Sequence, residues 1–420
     1  MLKSGDLISV TIEKPAVGGP MIARHDGRVV LVSGAIPGER VQARILRVTK
    51  GVAHAAAVTI EAASPDRRAD TGDLLCGGCL YGHIAYPRQL AIKSQVIADA
   101  FTRIARMELA GPVTVAGSRE DGYRMRARLH VRGSRAGFFR EGTHDLCDAR
   151  VTGQLLPATL ETIERLMAAI RSIGADLVRE IELSENLDGS ERVAHLETSE
   201  ALDPRLVEKL MSVDGLTPGP YVTDAMAIGD ASLRLRRHVL SFFQGNRHLL
   251  STLVAHVAER VPVGSKVLDL YAGVGLFSVA AAVARGASVT AIEGDAQASA
   301  DLHANGLAAG GQLATLRAPV ESIGATGVGV LSHLRGMEIE TVIVDPPRTG
   351  MSPEAIGGVL KVKAPRLIYV SCDVATLARD ARKIVDGGYT VERIDAFDMF
   401  PNTPHVETVV VFQKSEDLRF

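Results

Sequence analysis

The stretch SKVLDLYAGVGLFSVA, residues 265–280, runs from an apolar strand through Gly273 and Gly275 into a helix. Glycines at such a turn let a ligand approach the backbone and the N-terminus of the following helix. A second strand, Ser288 to Ile292, ends in Glu293, placed where a carboxylate can accept two hydrogen bonds from ribose hydroxyls. Ser278 stands where a dinucleotide fingerprint has its third glycine. Adenosine without a pyrophosphate therefore fits this turn better than NAD. From about Ser232 onward, apolar strands alternate with helices, which predicts an α/β unit with a mostly parallel sheet.

Three further segments place reactive side chains at the same edge of that sheet. TVIVDPPRTG, 341–350, is a strand that runs into Asp345-Pro346-Pro347-Arg348. Its two prolines fix the backbone as it leaves the sheet and hold the Asp345 carboxylate where open α/β sheets bind ligands. A plain turn is the other reading of this motif taken alone. LIYVSCDVATLARD, 367–380, passes from strand to helix with Cys372 between. A thiol just ahead of a helix N-terminus is expected to have a lowered pKa and to serve as a nucleophile; an inert buried cysteine is the alternative. DMFPNTPHVETVVVF, 398–412, is a loop and then a strand, with Glu407 at the strand's start offering a carboxylate base.

The remaining chain bounds the setting. With 420 residues, 46% hydrophobic and 23% charged, it has material for two or three domains. The N-terminus lacks an apolar leader, and no uncharged apolar run approaches the roughly eighteen residues of a membrane span. We expect a soluble cytoplasmic protein, a monomer without a membrane partner. Four cysteines do not make a secreted disulfide framework, so reduced thiols, ligands or a nucleophile are expected. A net charge of −2 means that any nucleic-acid site is a local patch.

Residues 1–62 read as a small β-barrel, with strands in Leu7–Ile12, Arg28–Val32 and Arg40–Val48. Within residues 1–60, eight basic residues stand against four acidic ones, which suits RNA contact or a solvated surface. EAASPDRRADTGDLLCGGC, 61–79, is loop-like, and a helix is expected over about 88–106. YRMRARLHVRG, 123–133, is the clearest strand: Tyr123, Met125, Ala127, Leu129 and Val131 share one face and Arg124, Arg126, Arg128, His130 and Arg132 the other. A row of cations repels itself, so an RNA backbone is the expected partner of Arg124, Arg126, Arg128 and Arg132, against a solvated face as the alternative. Residues from about 108 to 230 are mixed in pattern, and no internal repeat is found.

Asp-Pro-Pro-Arg at 345, YVSCDVATLARD at 369 and DMFPNTPHVE at 398 together resemble the class I S-adenosylmethionine-dependent RNA 5-methyluridine methyltransferases. The N-terminal barrel resembles an OB-like TRAM domain, as in the RlmD (RumA) type that modifies 23S ribosomal RNA; the TrmA type lacks it. The resemblance implies a Rossmann-like class I methyltransferase domain over 231–420, the barrel over 1–62 and a mixed α+β central RNA-binding domain over 63–230, whose helix 88–106 packs on the catalytic part. It further implies Cys372 as nucleophile, Glu407 as base, and Gln244, Tyr271, Gly273, Gly275, Leu276, Glu293 and Asp345 as the S-adenosylmethionine site. The expected product is 5-methyluridine in ribosomal RNA, with transfer RNA as the alternative substrate. Amino methyltransferases are disfavoured, since they need no cysteine and carry an aromatic where Arg348 stands; a non-catalytic RNA-binding protein has no use for Cys372 and Glu407 together.

Two departures from the family pattern stand out. Asp373-Val374 follows the cysteine in place of Asn-Pro, and a carboxylate there is expected to oppose thiolate formation. Proteins of the RlmD type also carry an iron–sulfur cluster on C-x5-C-x2-C and a distant fourth cysteine. Here Asp70 holds the first position, Cys76 and Cys79 are intact, and Cys147 lies five residues before Thr152, near the fourth. The candidate ligands are thus Asp70, Cys76, Cys79 and Cys147; the other reading is a glycine-rich turn with spare thiols.

Overall fold

The computed structural model describes residues 2–69, 73–173, 177–310, 312–324, 334 and 336–415. Its first unit is a closed barrel of β1 (Leu7–Pro15), β2 (Met21–His25), β3 (Arg28–Ser33), β4 (Arg40–Thr49) and β5 (Val52–Ala62), in the order β1-β2-β3-β5-β4. Alternation fills it: Ile8, Val10 and Ile12 of β1 point inward with Val41, Ala43 and Ile45 of β4. The barrel interior is continued by Ile92 and Val96 of α1 (Tyr86–Ala100), which begins two residues before the expected helix and carries Pro87 in its first turn. A π-helical turn, Phe101–Ala105, ends it at Arg106, whose φ is 55°.

The chain next contributes β6 (Val115–Ala116) and then a five-stranded sheet of order β11-β10-β7-β8-β9, from β7 (Arg126–Arg132), β8 (Arg135–Phe139), β9 (Leu146–Asp148), β10 (Val178–Glu185) and β11 (Arg192–Thr198). Ala127, Leu129 and Val131 form the apolar face of β7 and share a core with Ile163, Leu166, Met167 and Ile170 of α2 (Pro157–Ile173) and Leu210 of α3 (Pro204–Met211). A separate hairpin, β12 (Tyr221–Ile228) and β13 (Ala231–His238), follows. It straddles residue 230, where the sequence reading divides central from catalytic part. The two strands stay paired from Tyr221↔His238 to Ile228↔Ala231, so a division at its turn cuts through one structural unit.

An eight-stranded sheet carries the rest. It contains β14 (Lys266–Leu270), β15 (Ser288–Glu293), β16 (Leu313–Arg317), β17 (Thr341–Val344), β18 (Arg366–Ser371), β19 (Tyr389–Phe397) and β20 (Glu407–Lys414), in the order β16-β15-β14-β17-β18-β20-β19-β6. Strands β14 to β18 are parallel, and β20 runs antiparallel between β18 and β19. This is the Rossmann-like arrangement expected, with one addition: β6, from far upstream, closes the edge through Val115↔Ala396. Helices α4 (Leu250–Glu259) and α5 (Leu276–Arg285) share a core on one face, and α7 (Pro353–Val362) and α8 (Val374–Asp386) share one on the other with Ile97 and Phe101; α6 (Ala296–Ala308) follows β15. Val342 and Val344 face the second core and Ile343 the first, which is why β17 is apolar at every position. The strand order reverses between β14 and β17, which opens a crevice at their carboxyl ends. Among the described residues, no helix is long and apolar enough to cross a membrane.

Candidate active site

At the end of β14 the backbone turns through Tyr271 (φ 59°), Gly273 (φ 57°) and Gly275 (φ 95°) before α5 starts at the buried Leu276. A left-handed non-glycine residue such as Tyr271 is uncommon and marks a loop held by its surroundings. A Cβ on Gly275 would stand 2.8 Å from the Leu302 Cδ1, whereas one on Gly273 would meet no heavy atom within 4 Å. The first glycine thus leaves open space over its backbone, and the second lets α6 pack closely. Glu293, at the end of β15, ties this loop down by accepting from the backbone N–H of Gly273 at 2.8 Å and of Asp295 at 2.7 Å. A carboxylate has about four acceptor positions, so Glu293 keeps capacity for ribose hydroxyls. Ser278 donates to the Oδ2 of the fully buried Asp269, and burial pushes that carboxyl up to about 7. The missing third glycine therefore has a use: a hydroxyl is needed under the loop.

Asp345 follows β17, and Gln244, buried in the segment after β13, donates from its Nε2 to the Asp345 Oδ2 at 3.2 Å. Burial pushes the Asp345 carboxyl up to about 7, with the Gln244 amide opposing. The last pair of the β18–β20 ladder is Ser371↔Thr408. One step further along this antiparallel register, Cys372 lies opposite Glu407. Glu407 is 1% exposed, neither of its carboxylate oxygens has a partner among the described residues, and burial together with Asp345 pushes it well above the ordinary carboxyl range while Arg348 opposes. The sequence-predicted nucleophile, base and Asp345 carboxylate are thus brought together at one sheet edge.

The lowered thiol pKa expected for Cys372 is not found. Burial, then the carboxylates of Glu407 and Asp345, push it up to about 12, and only Arg348 pulls it back. Burial outweighs the helix N-terminus here. Asp373 caps that helix, accepting from the Thr376 N–H at 2.8 Å.

The arginine row also needs correction. Arg126, Arg128 and His130 have internal partners on β10, which lies beside β7 with Arg128 opposite Glu182 and His130 opposite Glu180. Arg128 bonds Glu182, and Arg126 is 4.0 Å from Glu182 and half-buried, its pKa drawn down to about 10 mainly by burial. Arg124 donates to Gln154 and to the Arg126 carbonyl, each at 2.8 Å, and stands over the Phe138 ring. Arg132 is exposed, its guanidinium over Phe139. Self-repulsion therefore does not demand RNA; the cations most available to it are Arg128 and Arg132.

The metal reading fares worse. Cys76 and Cys147 form a disulfide, with Cα atoms 5.7 Å apart. Cys79 remains a buried thiol that donates to the Asp73 carbonyl at 3.1 Å, its pKa pushed up to about 11 by burial and the Asp73 carboxylate. Asp70 lies outside the described residues. With two of the three cysteines paired to each other, the described residues show no iron–sulfur site, and none of their groups of His, Cys, Asp or Glu is arranged to hold a metal ion.

Several neighbours of the site escape a sequence reading based on reactive motifs. Arg348 is the cation beside Cys372. Phe242, two residues before Gln244, is 63% exposed and lies under Arg126. Gln89 and Lys93 are buried on α1 among Ile92, Val96 and Ile97. Two polar residues four apart on an otherwise apolar face were the available signal.

The comparisons with known proteins agree with this geometry. Residues 200–415 match the family model described as tRNA (Uracil-5-)-methyltransferase, and residues 2–58 match the TRAM domain. The 23S rRNA (uracil(1939)-C(5))-methyltransferase RlmD of Methylococcus capsulatus is 32% identical, over 97% of this chain and 97% of its own length. The RlmD of Halomonas elongata is 31% identical over 98% and 90%. The crystal structure of Pyrococcus abyssi tRNA (uracil-54, C5)-methyltransferase with S-adenosyl-L-homocysteine superposes with a TM-score of 0.72 at 26% identity, covering 96% of this chain and 99% of that one.

Proposed function

The chain belongs to the tRNA (uracil-5-)-methyltransferase family and is an S-adenosylmethionine-dependent RNA uracil-5-methyltransferase, and we propose that it methylates 23S ribosomal RNA through a covalent adduct between Cys372 and uracil. The register that sets Cys372 opposite Glu407, with Asp345 beside both, carries this reading.

Uracil carbon 5 is a weak nucleophile. Addition of the Cys372 sulfur to carbon 6 turns it into the carbon of an enolate, and the sulfur is expelled after carbon 5 has reacted and lost its proton. The thiol is neutral at rest, because a thiolate would share a low-dielectric site with two carboxyls. The thiol gives its proton to solvent before the sulfur adds and regains one after the sulfur is expelled, and Arg348 is the group that favours the thiolate in between. Glu407, whose carboxylate oxygens have no hydrogen-bond partner among the described residues, takes the carbon 5 proton in its ionised form, and its raised pKa makes that form a stronger base than an exposed carboxylate. S-adenosylmethionine, when bound, supplies the electrophilic methyl group. The residues that would hold it are Gln244, Tyr271, Gly273, Gly275, Leu276, Glu293 and Asp345, and the open space over Gly273 with the spare acceptor capacity of Glu293 fits an adenosine. A uracil in RNA must be unpaired or extruded to reach this edge. Arg128 and Arg132 are proposed to contact its flanking backbone.

The RlmD relatives, full-length matches at 31% and 32% identity, support ribosomal RNA over transfer RNA. Mapping 5-methyluridine in both RNAs of a deletion strain tests this; loss from transfer RNA alone overturns the ribosomal assignment. For the adduct, RNA carrying 5-fluorouridine is the probe, since fluorine cannot leave as a cation. Wild-type protein should migrate with this RNA on a denaturing gel in the presence of S-adenosylmethionine, and Cys372→Ala should not. Methylation by Cys372→Ala at the wild-type rate would sink the covalent route.

A further inference from the structure

The connection between β19 and β20, Asp398 to Val406, is held mainly by residues from the first third of the chain, joined by Asn246. Five consecutive carbonyls accept hydrogen bonds from outside it. Those of Asp398 and Met399 accept from the Asn246 Nδ2 at 3.4 and 3.2 Å, that of Phe400 from the Lys93 Nζ at 3.1 Å, that of Pro401 from the Tyr123 hydroxyl at 3.4 Å, and that of Asn402 from the Tyr81 N–H at 2.8 Å. Two side-chain contacts reinforce them. Lys93 Nζ lies 2.5 Å from the Asp398 Oδ1, with both residues buried. Gln89 donates to the Asn402 Oδ1 at 2.8 Å and accepts from the Asn402 N–H at 3.0 Å. The barrel touches the same connection: a Cβ on Gly19 would stand 2.9 Å from the Pro404 Cγ.

Stability alone does not explain the Lys93–Asp398 pair, because a buried ion pair is commonly no better than packed apolar side chains of the same volume. What such a pair does is fix geometry. The pair that closes the β19–β20 hairpin is Phe397↔Glu407, so Asp398 adjoins one member, and a shift of the connection is passed to the other.

We infer that Lys93 and Gln89 are positioning residues for proton removal: through Asp398 and Asn402 they hold the connection that delivers the Glu407 carboxylate opposite Cys372. The base is thus set by a helix that packs into both the barrel core and the core of the catalytic sheet. This rests on the reading of Glu407 as the base.

The test uses full-length protein with two variants chosen to keep the fold. Asn402→Gly retains a residue suited to the left-handed φ of 63° while removing the side chain that Gln89 grips. Lys93→Met combined with Asp398→Asn removes the pair without leaving a buried charge. Glu407→Gln is the reference and should accumulate a covalent band on ordinary uridine RNA. The two variants should accumulate the same band and turn over about tenfold or more slowly, since misplacing a base is costly. Both should bind S-adenosylhomocysteine, and form the adduct with 5-fluorouridine RNA, as wild type does. Turnover at the wild-type rate overturns the inference, as does an equal loss of fluorouridine adduct and turnover, the sign of a merely structural role. If Glu407→Gln itself neither traps nor slows, the base assignment falls first and the inference with it.

Discussion

Gln244 donates from its Nε2 to the Oδ2 of Asp345, which ties the segment after the β12–β13 hairpin to the end of β17. It is the hydrogen bond that opposes the upward shift of the Asp345 carboxyl. Replacing Gln244 with Ala removes a bond to a charged group worth about 1.5–3 kcal/mol. Binding of S-adenosylhomocysteine by calorimetry should weaken roughly ten- to hundredfold on that scale. An unchanged affinity would take Gln244 out of the donor site.

The Cys372 thiol, pushed up to about 12, fixes the sign of a pH dependence. At neutral pH it is protonated, and the thiolate fraction grows about tenfold per unit as pH rises toward that value. Adduct formation with 5-fluorouridine RNA, followed by rapid quench, should accelerate from pH 6 to 9 without a plateau. Arg348→Met removes the cation that favours the thiolate, so the rate at any one pH should fall while the slope persists. A flat profile over this range would show that another step limits the reaction.

The fold was readable where burial leaves a pattern in adjacent residues. Strands such as Thr341–Val344 are apolar throughout because both faces are covered, and β7 alternates because only one is. What escaped depends on residues far apart in the chain. Strand β6 is two residues long and acquires meaning only beside Ala396, and the glutamates that pair with Arg126 and Arg128 lie on β10, joined to β7 across a long excursion. The same limit explains the thiol. A helix N-terminus can be read locally, whereas the burial of Cys372 and its two carboxyl neighbours arrive from separate strands. Ser278 shows the reverse: its departure from the glycine pattern was plain, and only its partner Asp269 was not.

The pairing of the arginines with β10 divides their expected effects. Arg128 and Arg132 are exposed, so replacing both with Ala should weaken RNA binding and reduce the slope of log affinity against log salt by about 0.7 to 0.9 for each phosphate that is no longer neutralised. Arg126→Ala removes a half-buried cation beside Glu182 and Phe242, and should lower stability by on the order of 1 kcal/mol. Filter binding across a salt series and denaturant midpoints separate the two. An unchanged salt slope for the double variant would take both out of RNA contact, leaving Arg128 to its glutamates and Arg132 to the Phe139 ring.

Asp269 makes a different kind of prediction, about stability. Its carboxyl is pushed from 3.8 to about 7 in the folded protein, chiefly by burial, and its Oδ1 has no partner among the described residues. Between these two values the folded state holds a proton that the unfolded state has lost. Stability must therefore fall as pH rises from about 4 to 7, by up to about 1.4 kcal/mol per unit for one such group, and level off above. Asn at this position keeps an acceptor for the Ser278 hydroxyl and carries no charge to bury. Asp269→Asn should thus have a smaller drop in its urea midpoint between pH 5 and pH 8 than wild type, with the remainder due to Asp345 and Glu407, which are raised in the same direction. Urea midpoints at the two pH values, with m unchanged, decide it. If the variant loses as much stability over this interval as wild type, Asp269 is ionised in the folded protein and the charge under the loop is held by something other than the Ser278 hydroxyl.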